Sequence, residues 1–189
     1  MVYFIYSECV LHIFVITKSS AMTYKRLLIQ QYKKDGSTER DVRDTVDTQA
    51  SYNVVCQEFP FKFMPETKEL PSRKWYDKDG EDVYIPSDGL KLEAYDIEAK
   101  FLYVGKQDEM TTDIEGFIRF ICGRDQNGSP LLKVYDEYTK TGRKGIYVKE
   151  VDNELLAYDD LNSHVIGVFK VKFRVTEPAS KITLTRPTV

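Results

Sequence analysis

Tyr95-Asp96-Ile97-Glu98-Ala99-Lys100-Phe101-Leu102-Tyr103 is the stretch whose reading decides the fold. Its odd-numbered positions are apolar or aromatic, and Asp96, Glu98 and Lys100 fall between them. In extended backbone successive side chains point to opposite faces, so a period of two marks a strand with one buried and one wet face. The pattern returns near the end of the chain. There Val165, Gly167, Phe169, Val171, Phe173 and Val175 alternate with Ile166, Val168, Lys170, Lys172 and Arg174, giving a second face that turns basic. Pro178 ends this strand, because proline offers no ladder donor.

Between the two strands, Thr112-Asp113-Ile114-Glu115 has capping-box spacing and predicts a helix start, with Gly105 to Met110 as a loop before it. Ile114, Phe117, Ile118 and Ile121 then form one apolar stripe, and Gly123 supplies the stop. Such a helix covers a sheet, and Gly116 permits close backbone approach.

Further strands are expected at Thr23–Tyr32, Ser51–Phe59, Leu131–Tyr138, Ile146–Val151 and Glu154–Tyr158, separated by turns at 33–36, 139–142 and 152–153. Lys74 to Ile85 places two aromatic or β-branched runs around Asp79-Gly80 and reads as a hairpin. Ser37–Gln49 is charged, with only Val42 and Val46 apolar, and reads as a weak helix or mobile loop; Pro65–Pro71 reads as an extended exposed loop. Strands follow one another without alternating helices. The expected class is therefore α+β and mainly antiparallel β, a β-sandwich or open barrel with one amphipathic helix packed on it. The domain spans 22–178, with a charged arm at 33–50, a hairpin at 73–86 and a C-terminal tail at 179–189.

Residues 1–21 differ from the rest. Val2 to Ile16 is almost all apolar, interrupted by Ser7, Glu8 and His12. The first expectation is an extra upstream segment, with translation starting at Met22. A packed or swapped strand and a signal peptide cleaved near Ala21 are the alternatives, the last lacking a basic leading region. The run is too interrupted for a membrane span, which takes roughly 20 apolar residues.

A net charge of −3 offers no overall basic field for a nucleic-acid backbone, so no nucleic-acid binding is expected, and no membrane partner either. Cys9, Cys56 and Cys122 cannot all pair within one chain, and His12 and His164 are the only imidazoles. Phosphate-loop, dinucleotide and nucleophile-elbow motifs are missing from the sequence. Cys122 reads as a small buried side chain and His164 as an exposed turn residue, against a nucleophile–base pair. Asp77, Asp79 and Asp82 lack calcium-loop spacing. The acid pairs Glu81-Asp82, Asp108-Glu109, Asp136-Glu137 and Asp159-Asp160 read as solvated surface rather than as a glycosidase pair. Asn127-Gly128-Ser129 is a glycosylation sequon that an Asn-Gly turn explains equally. The expectation is a protein without catalytic residues, cofactor or metal.

Two sets of residues stand out as interface or binding candidates. Trp75, Tyr76 and Tyr84 can form a stacking platform for a carbohydrate- or protein-binding module. Tyr138, Arg143, Lys144 and Tyr147, beside Lys140, can form a binding loop for an acidic partner, or be a solvated hairpin.

From about Leu92 to Pro178 the order of elements is familiar. A strand ending Phe101-Leu102-Tyr103-Val104-Gly105 leads to a helix over Ile114 to Ile121, then to Leu131-Leu132-Lys133-Val134-Tyr135-Asp136. Arg143-Lys144-Gly145-Ile146-Tyr147-Val148-Lys149, a short strand around Leu155 and Gly167-Val168-Phe169-Lys170-Val171-Lys172-Phe173 complete it. This order resembles the N-terminal domain of tailed-phage distal tail proteins and, more loosely, the related tail-tube fold. The resemblance implies a virion protein made in the bacterial cytoplasm, a β-sandwich or barrel flanked by a helix. It implies a hexameric ring whose partners are further copies of itself and other tail proteins, with residues 33–50 and 60–72 as arms that order in the assembly.

Overall fold

The computed structural model describes residues 27–152, 156–159 and 164–187. The expectations for residues 1–21 fall outside them. In chain order the elements are β1 (Leu27–Asp35), β2 (Thr38–Asp41), β3 (Val46–Asp47), α1 (Thr48–Tyr52), β4 (Val54–Glu58), β5 (Ser72–Arg73), β6 (Asp82–Val83), β7 (Tyr95–Lys106), α2 (Gln107–Ile121), β8 (Leu132–Asp136), β9 (Thr141–Val151), β10 (Leu156–Asp159) and β11 (His164–Val175).

The two period-2 stretches become the central ribbon. β7 and β11 pair antiparallel over their whole length, from Tyr95↔Val175 to Lys106↔His164. The main sheet runs β2-β1-β8-β9-β11-β7-β4, with β3 added to β1 and β10 to β11, and every pairing is antiparallel. Register shifts at Cys56/Glu58, Leu132/Val134 and Lys172/Phe173 bend it, since a bulge sharpens the local twist. The consequence is that Leu27 and Ile29 of β1 share one core cluster with Val54 and Cys56 of β4, from near the far end of the order.

Helix α2 fills the concave side, so an α+β, mainly antiparallel fold with one main helix on an open sheet is what forms. Phe117 packs on Phe101 and Phe169 at ring separations of 5.1 and 6.1 Å. Gln31 of β1 donates from Nε2 to the Phe120 carbonyl at 2.5 Å, tying the first strand to the helix's last turn. The helix begins five residues before the capping box, at Gln107, because β7 runs on to Lys106 and leads straight into it. Lys106 makes no side-chain cap, and Asp108 and Glu109 in the first turn oppose the positive end of the helix dipole instead. The stop at Gly123, with φ +65°, is where the sequence placed it. Phe120 widens the buried stripe because α1 lies along that flank, its Tyr52 ring 5.8 Å away. A Cβ on Gly116 would meet that same ring at 3.4 Å, so close approach is indeed what this glycine permits.

Three other segments differ from their sequence reading. Residues 33–50 form β2, β3 and α1 rather than a weak helix or loose arm. Gly36, at φ +59°, turns β1 into β2; Arg43 pairs with Asp125 at 3.1 Å, and buried Asp47 caps α1 through the Gln49 and Ala50 amides. The charges that suggested a loop are met by partners distant in sequence. β9 starts at Thr141, so Arg143 and Lys144 lie in a strand and not in a loop. The turn sits at 137–140, held by Asp136 accepting from the Tyr138 amide at 2.9 Å and the Thr139 hydroxyl at 2.8 Å. The tail after Pro178 is laid down on the sheet: Ile182 donates to the Gly142 carbonyl, the Lys144 amide donates to Ser180 Oγ, and Arg186 grips Glu137 with two bonds of 2.8 and 2.7 Å. A Cβ on Gly142 would lie 2.5 Å from the Ile182 carbonyl oxygen, so only glycine admits the strap at that height.

Candidate interaction surfaces

Pro60 ends the pairing of β4, and the chain then runs outside the main sheet until β7 begins at Tyr95. The base of this excursion is closed by the Thr67↔Leu92 bridge and by Glu93 donating to the Glu66 carbonyl at 2.7 Å. Its tip is the β5–β6 pair, with only Ser72↔Val83 and Arg73↔Asp82 in register. This pair differs from the hairpin expected at 73–86: its strands are Ser72–Arg73 and Asp82–Val83, and Lys74-Trp75-Tyr76 lies in an eight-residue loop, 74–81, in place of a tight turn at Asp79-Gly80. Side-chain contacts hold that loop. The Arg73 guanidinium lies 3.6 Å from the centre of the Trp75 ring, and the indole donates to Asp82 at 2.7 Å. Lys78 reaches Asp82 at 3.7 Å.

This arrangement divides the expected platform. One face of Trp75 is occupied by Arg73, which leaves less room for a stacked sugar ring. Tyr76 and Phe63, by contrast, are 101% and 98% exposed, and Met64, Tyr84, Ile85 and Leu90 are also open to solvent. A shallow groove lined by Pro71, Ser72, Arg73, Asp82, Val83 and Tyr84 runs along the β5–β6 pair.

The predicted basic loop does not assemble. Arg143 is 7% exposed, and its guanidinium donates to the Ser180 carbonyl at 2.9 Å, under the C-terminal strap. Lys144 pairs with Glu39 at 2.6 Å and Glu177 at 3.6 Å, and Lys34 reaches Glu177 at 2.6 Å. Hydrogen bonding from Lys34, with a smaller contribution from Lys144, holds the Glu177 carboxyl below its ordinary value. The buried Tyr32 hydroxyl accepts from the Gly145 amide at 2.9 Å beside this network. No local motif marks it, because its members come from β1, β2, β9 and the segment after β11. Tyr138 is exposed at the β8–β9 turn, and Tyr147 lies six strand residues beyond Thr141, about 20 Å along β9.

A third surface is the outer face of the ribbon. Asp96 accepts from Lys149 at 2.8 Å and Arg174 at 2.9 Å, which lowers its pKa, and Lys170 pairs with Glu98 at 3.0 Å. Lys172 approaches Glu150 at 4.0 Å. The basic stripe read in the last strand is thus neutralised by acids on its neighbours.

Several chemical candidates can be placed. Burial pushes the Cys122 thiol up, opposite to what a nucleophile needs. His164 opens β11. Ser129 of the sequon is buried, its hydroxyl donating to the Tyr32 carbonyl at 2.6 Å, and Asn127 takes φ +63° in the turn. Among the described residues no group of three His, Cys, Asp or Glu is placed to hold a metal ion, and no helix is long and apolar enough to cross a membrane. The chain matches no protein-family model, and no curated protein matches it.

Proposed function

We propose that this protein is a non-enzymatic structural component that assembles with copies of itself into a ring, of the distal-tail or tail-tube type its element order resembles, and docks on other tail proteins in a phage virion. The observation that carries this reading is where the apolar surface lies. Of the ten large apolar side chains exposed among the described residues, eight fall between Phe63 and Leu90. Single exposed hydrophobics are ordinary on any protein, whereas a concentration of Tyr, Phe, Met and Ile on one excursion is the composition of a contact surface. The excursion holds itself together by polar contacts and leaves these side chains for a partner. A ring subunit needs such a surface and no reactive group.

Mass photometry and negative-stain imaging across a concentration series test this reading. Closed rings that weaken in a Phe63→Ser, Tyr76→Ser double variant are expected; a strict monomer at every concentration overturns it.

A further inference from the structure

The β5–β6 pair leaves backbone groups unpaired on a strand whose residues favour pairing. Its register is Ser72↔Val83 and Arg73↔Asp82, and Tyr84 donates to the Pro71 carbonyl at 2.9 Å. In an antiparallel ladder, residues that exchange bonds with one neighbour alternate with residues whose N–H and C=O point the other way. Tyr84 is of the first kind. Val83, and Ile85 beyond Tyr84, therefore direct their backbone groups to the outer edge of β6, where no backbone partner stands among the described residues.

The two edges of this unit are not alike. On the β5 side the run is Glu69-Leu70-Pro71-Ser72-Arg73-Lys74, with the charges and proline that keep an edge from pairing. On the β6 side it is Val83-Tyr84-Ile85, three residues of high strand preference, 40%, 67% and 66% exposed. Pro86 limits the run to that length. A pair of two-residue strands without an apolar face is marginal in water, and a further strand on the open edge is what such a unit lacks.

We propose that the β6 edge pairs antiparallel with the β6 edge of a second copy, about a two-fold axis at Tyr84. In this register Val83 and Ile85 of each copy exchange N–H···O bonds with Ile85 and Val83 of the other, and the two Tyr84 rings become cross-strand neighbours. The charges fit. Asp82 falls opposite Pro86 and Glu81 opposite Ser87, so no acid of this stretch meets another. Moving the axis one residue back, to Val83, sets Asp82 against Tyr84 and Glu81 against Ile85 and loses the apolar match. The area fits as well. Tyr84 and the fully exposed Tyr76 of the adjoining loop offer about 330 Å² per copy at roughly 200 Å² for an exposed ring, against the about 800 Å² that each partner of a standard interface buries; Val83, Ile85 and the paired backbone add to it. An isologous contact of this kind closes on two copies. It rests on the reading of the excursion as a self-association surface and extends it, because in a ring assembly the two-fold joins one ring to another and closes neither.

Disulfide cross-linking of the full chain tests the register. A residue that faces its own copy in a non-hydrogen-bonded pair has Cα atoms about 4.5 Å apart, within the roughly 4.4–6.8 Å that a disulfide spans. Under mild oxidation Tyr84→Cys is expected to give at least fivefold more covalent dimer than Val83→Cys or Ile85→Cys. The parent, whose Cys56 is buried and Cys122 half-buried, sets the background. Equal dimer from all three variants, or none above the parent from Tyr84→Cys, overturns the pairing. A second arm keeps a ring at the axis: with benzoylphenylalanine in place of Tyr84, irradiation should link two copies through residues 83–85, and links only to other segments or other proteins overturn it. Oligomers of the parent without either link overturn the strand pairing alone, whereas a strictly monomeric parent overturns the ring reading with it.

Discussion

The β7–β11 ribbon and the β5–β6 pair are both antiparallel two-strand units, yet they serve opposite ends. The ribbon has twelve register pairs, from Tyr95↔Val175 to Lys106↔His164, and on its inner face the Phe101 ring contacts those of Phe169 and Phe173. The β5–β6 pair has two register pairs and four exposed residues. A hairpin without an apolar face is marginal in water, so the second unit depends on the Trp75–Asp82 bond and the Arg73 stack, not on a core. Length of pairing and burial of one face distinguish a scaffold from a surface feature.

The sharpest way to break this contrast is to hollow out the ribbon. Phe101→Ala removes a fully buried ring that touches Phe117, Phe169 and Phe173, and should cost about 3–5 kcal/mol in urea unfolding. Next in size is Gly142→Val. The added branches collide with the Ile182 carbonyl and the Tyr135 ring, which should lift the strap and destabilise by about 1–3 kcal/mol. Faster exchange at Ile182 than at β7 would show that the strap yields first.

Acid should loosen the protein by a definable route. Glu177 and Asp96 have folded pKa values lowered by their Lys and Arg partners, so each stabilises the fold above its unfolded pKa, ordinarily about 4, and that contribution is lost as pH falls through the folded value. Glu177→Gln should lower the melting temperature at neutral pH, where the carboxylate is charged and paired, and the difference from the parent should shrink as pH falls below about 4.5, flattening the acid limb. The smallest effect is expected at the excursion: Tyr76→Ser should leave unfolding stability within about 0.5 kcal/mol of the parent while weakening self-association. A large loss of stability from Tyr76→Ser would mean that the excursion belongs to the core after all.

Legibility in the sequence followed the range of the interactions. Tyr95–Tyr103 and the final strand were readable because a period of two depends only on neighbours in sequence, and their odd-numbered residues are buried from Tyr95 to Tyr103 as read. The α2 stripe at Ile114, Phe117 and Ile121 was readable for the same reason, and Gly123 ended it. The helix start was misplaced because Thr112 sits one turn inside; Asp113 is instead a partner of Asn53 at 2.8 Å, a residue sixty positions away. Residues 33–50 looked like an arm because Arg43 and Glu39 show their partners, Asp125 and Lys144, only after β9 and the 123–130 turn converge on them. Arg143 and Lys144 looked like a cationic loop until the strap and Glu39 enclosed them.

Alternation and composition sufficed to specify a mainly antiparallel β protein with one covering helix, low in imidazole and thiol and without a basic field. Those are properties of short windows and of sums over the chain. Which charges are paired and which aromatics are exposed depended on the wrapping of the sheet. That wrapping brings together residues up to 143 positions apart, and no local window carries such pairings.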